Sequence, residues 1–429
     1  MEPLLQVALD FVDLPRALKV AREAVAAGVD ILEAGTPLIK SCGLQAVRAL
    51  RQQFPGTKIV ADMKIMDTGR LEAEIAFKSG ADIVVVVAAA SDATIREAVE
   101  ASRNYGGQVM VDLMEESARL ERALSVAALG VHYLGVHIPI DQQMTGKISF
   151  AFLREVVSNV SLPVAVAGGL NSENVVEAVK NGASILIVGG AITKATGVAS
   201  SVASIKQAIT SGIPVKTPLY WRAGLEKVRE VLTMVSTANI SDALHRRGWL
   251  QDINPVVPGV KMVGQAVTVR TYPGDWAKPV QAVEFSQPGQ VIVIDAGGLP
   301  PAVWGELATH SCVTRKLSGV VINGAIRDVE EIRKMNFPAF ARIITPQAGE
   351  PKGLGEINIP VRIGNQEIFP GDWLVGDNDG VVVISQQNVV EVANRAADVL
   401  EKENRLRQEI KDGGTLSSIT ELLKWEKPR

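Results

Sequence analysis

The chain has 429 residues, of which 47% are hydrophobic and only 4% aromatic, and its formal net charge is −3. That length allows two or three domains with large cores, and the abundance of Ala, Val, Ile and Gly suits helices packed on parallel strands. The balanced charge, with no long run of one sign, argues against a nucleic-acid or anionic-membrane surface, and no apolar stretch reaches the ~18 residues of a membrane span.

The chain opens on "MEPLLQVALDFVDL", acidic and short in its apolar run, so no signal peptide is expected there. Cys42 and Cys312 lie far apart and form neither a CxxC pair nor a zinc pattern. A reducing compartment without a disulfide framework is expected, hence a cytoplasmic protein. Strand-length apolar runs then recur: "LLQVALD", "VDILEAG", "KIVADMK", "DIVVVVAA", "QVMVDLM", "YLGVHI", "PVAVAGG" and "ILIVGGAI". Helical periodicity fills the gaps, with Leu14, Leu18, Ala21 and Val25 on one face and Ile95, Ala98 and Val99 on another. Gly28, Gly80, Gly130 and Gly182 stand where helices end before the next strand. Eight β-α units over residues 1–210 predict a (β/α)₈ TIM barrel, with an open doubly wound sheet as the alternative.

The segment 211–224, "SGIPVKTPLYWRAG", breaks the rhythm with Gly and Pro and reads as a linker. Residues 225–429 follow another grammar: a helix from about Leu225 to Arg247, then shorter strands between Gly/Pro turns, then a polar helix from Val389 to about Lys411. A compact α/β domain mixing hairpins with crossovers is expected there.

In a (β/α)₈ barrel the active site gathers at the C-terminal ends of the strands. Those ends carry Asp10, Glu33, Asp62 with Lys64, Asp112, His137, Gly168-Gly169 and Gly189-Gly190. Residues two apart on a strand face one side, so Asp62 and Lys64 both point into the mouth. Asp67 lies past the strand end, able to curl back or reach a neighbour. One such charge can be an ion pair holding a loop; several on one rim need something to bind. Asp112 reads equally well as a loop cap, and His132, before its strand, as structural.

Glu33 and Asp62 on adjacent strands offer hard oxygen ligands for Mg²⁺. Paired glycines after the last two strands permit close backbone approach to a phosphate. A metal, a lysine and a histidine facing a sugar phosphate point to an enediolate: Lys64 and the metal stabilise the oxyanion, and a carboxylate or His137 moves protons.

The stretches "QVALD", "LEAGTPLIK", "VADMKIMDTG", "GVHIPIDQQ", "VAVAGGL" and "IVGGAIT" together resemble 3-hexulose-6-phosphate synthases, of the orotidine-5′-phosphate decarboxylase superfamily. The superfamily's D-x-K-x-x-D pattern stands here as Asp62, Lys64 and Asp67. The resemblance implies Mg²⁺- (or Mn²⁺-) dependent aldol addition of formaldehyde to the sugar phosphate ribulose 5-phosphate, or the reverse. Asp10, Lys64, Asp67 and His137 would be catalytic, Glu33 and Asp62 would hold the metal, and Gly168, Gly169, Gly189 and Gly190 the phosphate. The sister 3-keto-gulonate-6-phosphate decarboxylases usually place an arginine in the last phosphate loop, where this chain has Gly190. "GVHIP", at Gly135 to Pro139, departs from the "GVHTG" of the synthases.

In the second half, Glu306 and Arg327-Asp328 stand with twenty residues between them. An isolated Arg-Asp pair is usually a surface ion pair. "STANISDAL", "GGLPPAVWGELA", "GVVINGAIRDVEEI" and "GDWLVGDNDGVVVI", however, resemble the ribonuclease activity regulator A family, which includes 4-hydroxy-4-methyl-2-oxoglutarate aldolases. This implies a swivelling β/β/α-like fold. Gly305, Glu306, Leu307, Ala308 and Arg327 would bind a pyruvate-like oxo acid, with Arg327 catalytic, and Asp328 would serve a divalent cation. Members of that family also act as regulators without catalysis, so a tethered protein-binding module is the alternative. Asp242 and His245 read as helix-surface residues and His310 as local packing. Barrels of the first kind usually pair as dimers and domains of the second form trimeric rings, which implies a hexameric homo-oligomer.

Overall fold

The computed structural model describes residues 2–114, 119–139, 143–146, 149–217 and 222–420. Positions 218–221 of the expected linker and 140–142 of the stretch after His137 lie outside them. The chain divides into two compact units: Met1–Gln143, Lys147–Trp221 and Glu401–Arg429 form one, Met144–Gly146 and Arg222–Leu400 the other. The sequence predicts a second domain running from residue 225 to the end, whereas the segment from Glu401 packs as part of the first unit.

The first unit is built on a closed barrel of eight parallel strands, β1 (Leu4–Leu9), β2 (Ile31–Ala34), β3 (Lys58–Ile65), β4 (Ile83–Val87), β5 (Gln108–Asp112), β6 (Tyr133–His137), β7 (Val164–Ala167) and β8 (Ile185–Val188). Closure is made by β1 pairing with β8, Leu4 opposite Ile185 and Val7 opposite Val188. Alternation along each strand sends one set of side chains inward, where Ile31, Val60, Ile83, Val85, Met110, Ala165 and Ile185 fill the barrel. The other set packs outward against the helices.

The helix Leu14–Ala26 shows how the local sequence makes these units. Asp13 accepts the Arg16 N–H at 3.0 Å as N-cap, and Pro15 occupies the first turn, where its missing N–H costs nothing. Its buried face is Ala17, Val20, Ala21 and Ala24, with the expected Leu14, Leu18 and Val25 packed at the edges. Small residues at the centre let the helix lie close on the strands. The helix stops as expected: Gly28 takes φ +91° and returns its N–H to Val25 O at 2.9 Å.

In the second unit one mixed sheet is central. Short β9 (Asn254–Pro255) lies at one edge, antiparallel to its neighbour. Strands β10 (Met262–Arg270), β11 (Val291–Asp295), β13 (Gly319–Ile326) and β14 (Ala339–Ile344) run parallel. Short β12 (Ala302–Trp304) pairs with β13. Two antiparallel strands, Trp373–Asp377 and Gly380–Ile384, extend the side next to β10. Period-two alternation separates two cores: Val267, Val269, Ile292, Ile294, Val320 and Ile322 on one face, Ala266, Val291, Val293 and Val321 on the other. The helix expected from about Leu225 to Arg247 is instead two, Val228–Met234 and Thr237–Ala243. Ser236 breaks it: its hydroxyl accepts the Asn239 N–H at 3.1 Å and Asn239 answers to the Ser236 N–H at 3.1 Å, a capping box that starts a new helix. The polar helix spans Val389–Lys411, as read.

Candidate active site

The strand ends of the barrel surround a cavity of about 510 Å³. Asp10, Glu33, Asp62, Lys64, Asp112, His137, Gly168, Gly169, Gly189 and Gly190 all line it. Strand alternation alone does not place Lys64. β3 bulges: Ala61 pairs with Val84, and the next pair is Ile65 with Val86, so the stretch with Asp62 and Lys64 is longer than its partner on β4. Lys64 absorbs the extra length at φ +49°, a left-handed conformation that side-chain-bearing residues seldom take. The bulge re-aims its ammonium into the mouth, where Nζ stands 2.8 and 2.7 Å from the two Asp62 oxygens and 3.0 Å from Asp112 Oδ2.

Lys64 thus bridges two buried carboxylates. Burial alone would lower its pKa, but Asp62 and Asp112 outweigh it and hold the ammonium above its ordinary value. Burial would likewise raise the Asp112 carboxyl; the His137 hydrogen bond and the Lys64 charge hold it low instead. Asp112 is the residue that sequence reasoning undervalued. It does cap its loop, accepting the Met114 N–H at 3.1 Å through Oδ1, but its Oδ2 also stands 3.3 Å from His137 Nδ1. Thr36 and Gln6 were missed. Thr36 donates its hydroxyl to Asp62 Oδ2 at 2.9 Å. Buried Gln6 donates Nε2 to Glu33 Oε2 at 2.7 Å, while its own Oε1 has no partner among the described residues. Gln6 is two residues inside β1, where a polar side chain in an apolar strand was the available signal. His132 is structural as expected, its Nδ1 accepting the Val109 N–H at 3.0 Å.

Asp10 is accessible from the cavity but set deep in the mouth; desolvation there and the Asp62 charge raise its carboxyl pKa. Its close approach to the loop after β2 requires Gly35, since a Cβ there would stand 2.1 Å from Asp10 Oδ1. Asp67 is placed differently from the others. It is exposed, does not line the cavity, and turns back only to accept the Thr68 N–H at 2.7 Å. Gly168, at φ +103°, takes a conformation open to glycine, and a Cβ there would lie 2.3 Å from Ile138 O.

The charges do not balance within the mouth. Asp10, Glu33, Asp62 and Asp112 face one lysine, and Glu33, fully enclosed and repelled by Asp62 and Asp10, is pushed up to about 8. Among the described residues no group of three or more His, Cys, Asp or Glu side chains is placed to hold a metal ion. Mg²⁺ commonly takes only one or two carboxylates and keeps its waters. Glu33 and Asp62, hard donors beside surplus negative charge, fit such a cation.

The second unit has its own cavity, of about 460 Å³, lined among others by Trp276, Trp304, Gly305, Glu306, Leu307, Ala308, Arg327 and Asp328. The expected second-site residues therefore do converge. Gly305 precedes the helix Glu306–Thr314, and a Cβ on it would stand 2.5 Å from Asp328 Oδ2. Asp328, at φ +58°, uses that oxygen to accept the Glu306 N–H at 3.3 Å and Arg327 Nε at 3.2 Å. Asp328 Oδ1 takes no such bond among the described residues and is the hard donor there that fits a cation. His310 is exposed on this helix rather than packed.

Residues 3–205 match the family model described as Orotidine 5′-phosphate decarboxylase / HUMPS family. A 3-hexulose-6-phosphate synthase of Methylomonas aminofaciens is 41% identical over 203 residues, which are 47% of this chain and 97% of that protein. The chain belongs to this family. A 3-hexulose-6-phosphate synthase of Bacillus subtilis (strain 168) is 38% identical over 209 residues, 48% of this chain and 99% of its own length. The first half is therefore an enzyme of the synthase-like lyase class. Residues 237–383 match a second model, RraA-like, described as Aldolase/RraA. The solved RNA-processing inhibitor RraA from Thermus thermophilis is 27% identical over 35% of this chain and 92% of its own, with a TM-score of 0.33. Among the described residues, no helix is long and apolar enough to cross a membrane.

Proposed function

We propose that the barrel catalyses aldol addition of formaldehyde to ribulose 5-phosphate, giving 3-hexulose 6-phosphate, or the reverse cleavage. The observation that carries this reading is Lys64 held between Asp62 and Asp112 in a cavity that also contains His137 and the two glycine pairs. The backbone at Gly168-Gly169 and Gly189-Gly190 admits the phosphate. With its Nδ1 hydrogen directed to Asp112, His137 keeps Nε2 free to take a proton from the sugar's terminal carbon next to the carbonyl. That carbon bonds to the formaldehyde carbon, and the new alkoxide recovers the proton. Lys64 stabilises the enediolate oxygen through the step, and Asp62 and Asp112 keep the ammonium charged and aimed. Mg²⁺ (or Mn²⁺) on Glu33 and Asp62, when bound, adds Lewis-acid stabilisation of the same negative charge.

For the second cavity we propose cleavage of a pyruvate-like oxo acid, with Arg327 and the amides at Gly305–Ala308 gripping the carboxylate and a divalent cation on Asp328. The experiment is an assay of the full-length chain for formaldehyde release from hexulose phosphate and for pyruvate release from oxo acids, each with and without Mg²⁺. Each site has its own anion and cation groups, so the activities are expected to separate. Arg327→Ala should leave formaldehyde chemistry within about twofold of wild type, and Asp62→Ala should leave oxo-acid cleavage so. Loss of both activities from either change, in a folded protein, would reject independent sites. A second domain without oxo-acid cleavage under any metal would favour the regulatory alternative. Carbon dioxide release from 3-keto-gulonate 6-phosphate in place of formaldehyde chemistry would make the barrel a decarboxylase.

Asp67 is proposed to act across a dimer. It is exposed, and Met66, Leu71 and Ile75 close by in the chain are 57%, 61% and 40% exposed; exposed apolar side chains of this kind suit a second copy of the barrel. With a trimer-forming second domain, the smallest closed assembly satisfying both contacts is a hexamer. Light scattering on the full chain is expected to return a six-subunit mass; a mass of one or two subunits at micromolar concentration would reject it.

A further inference from the structure

The segment from Glu401 groups with the barrel unit, and it brings a buried guanidinium there. Arg405 is 5% exposed. Its Nη1 donates to Ala195 O at 2.9 Å and reaches Thr196 O at 3.5 Å, and its Nε donates to Glu409 Oε1 at 2.9 Å. Glu409 Oε1 also accepts from Arg16 Nη2 at 3.2 Å. Arg16 belongs to the helix that follows β1 and lies 5.5 Å over the ring of Phe11, the neighbour of Asp10.

Ala195 is close to the chemistry. It follows the short helix Gly190–Thr193 and its capping residue Lys194. Thr193 N–H bonds to Gly189 O at 3.0 Å and Lys194 N–H to Gly190 O at 3.0 Å, so the turn bearing the cavity glycines is tied to the residues just before Ala195. From outside, Ser201 Oγ donates to Ala191 O at 2.7 Å, and Arg405 secures the far end. A turn this short has little stability of its own, and loop carbonyls left without a buried donor would seek water. The Methylomonas aminofaciens synthase is covered over 97% of its length by 203 residues of this chain, which leaves it no room for a segment returning after a second domain.

We propose that Arg405 is a positioning residue for the phosphate grip: by clamping the end of the loop 189–196 it sets the affinity of the barrel for phosphorylated substrate. The clamp is supplied by chain beyond residue 400 and is thus a property of the fused protein. The proposal rests on the reading of Gly189-Gly190 as part of the phosphate site. Phosphate binding held equally in ground and transition states shows in KM and not in kcat.

The test uses the full-length chain with Arg405→Met and Arg405→Lys. In Arg405→Met, KM for ribulose 5-phosphate and the inhibition constant of inorganic phosphate should rise together, on the order of tenfold, with kcat nearly unchanged. Arg405→Lys, which keeps a donor and a charge, should recover part of the loss. Hydrogen exchange should show protection falling in peptides covering 189–197, with β-strand peptides unchanged. Unaltered KM and phosphate inhibition would overturn the proposal, whatever the exchange shows. So would a fall in kcat with protection lost throughout the barrel, because Arg405 would then be a general fold contact. If wild type bound neither ribulose 5-phosphate nor phosphate, the reading of the glycine pairs would fail first and the clamp with it.

Discussion

Replacing Lys64 with alanine is expected to slow formaldehyde addition by ~10²–10³ in kcat, the scale of removing one preorganised donor to a developing oxyanion. The ammonium is already charged, already aimed by Asp62 at 2.7 Å and Asp112 at 3.0 Å, and needs no reorganisation when the enediolate forms. Its contribution belongs to the transition state, so kcat and kcat/KM should fall together while KM changes little. The variant also leaves Asp62 and Asp112 facing each other without their shared cation, so its melting temperature should drop and rates must be compared below that point. Steady-state kinetics decide: a Lys64→Ala protein of near-normal rate would remove Lys64 from the mechanism. Arg405→Met, acting through the phosphate loop, should show the opposite split.

The second large effect is on stability. Glu33 has a folded-state pKa of about 8 against an ordinary 4.5, raised by burial, Asp62 and Asp10. Where the unfolded chain has already lost this proton, the folded protein retains it. Metal-free stability should therefore fall as pH rises from 4.5 toward 8 and level off above. Each pKa unit is worth about 1.4 kcal/mol, which makes a penalty of several kcal/mol the upper bound. Glu33→Gln removes the titration and should melt higher than wild type at pH 8 in EDTA, yet resemble it at pH 5. Mg²⁺ added to wild type at pH 8 should recover much of the difference by binding the ionised form. Melting curves of the two proteins across this range check it; a difference that does not grow with pH would show that Glu33 is not strained by its surroundings. The same variant should lose activity, because the charge that strains the fold is the one that fits the cation.

Much of this was legible along the chain. Apolar runs of β-branched residues alternating with helical periodicity predict a barrel because both patterns are local: a strand such as "IVVVV" and a helix capped by Asp13 and closed at Gly28 carry their own instructions. The barrel's one architectural rule, that sites lie at strand C-termini, then selected Asp10, Glu33, Asp62, Lys64 and His137, and all five line one cavity. Arg327 and Asp328 meet Gly305 for a similar reason, since Gly305 follows β12 and Arg327-Asp328 follow β13, paired strands of one sheet. The broken helix near Ser236 was legible too, in the spacing of Ser236 and Asn239 that makes a capping box.

Periodicity, caps and turns act over a few residues, and for that reason the elements and the group of strand-end residues can be read along the chain. How those residues are used was settled by packing. The bulge that turns Lys64 inward depends on the register of β3 against β4, which no single strand specifies. Asp112 became an ion-pair partner as well as a loop cap because closure of the barrel brought β3, β5 and β6 around one mouth. Gln6 reached Glu33 across paired strands. Asp67, past the end of β3, stayed outside the cavity and bonds only to the neighbouring Thr68 N–H. Arg405 found Ala195 across a separation of 210 residues. Such contacts follow from the closing of loops and the packing of whole elements, and their free energy belongs to pairs of residues that the sequence keeps far apart.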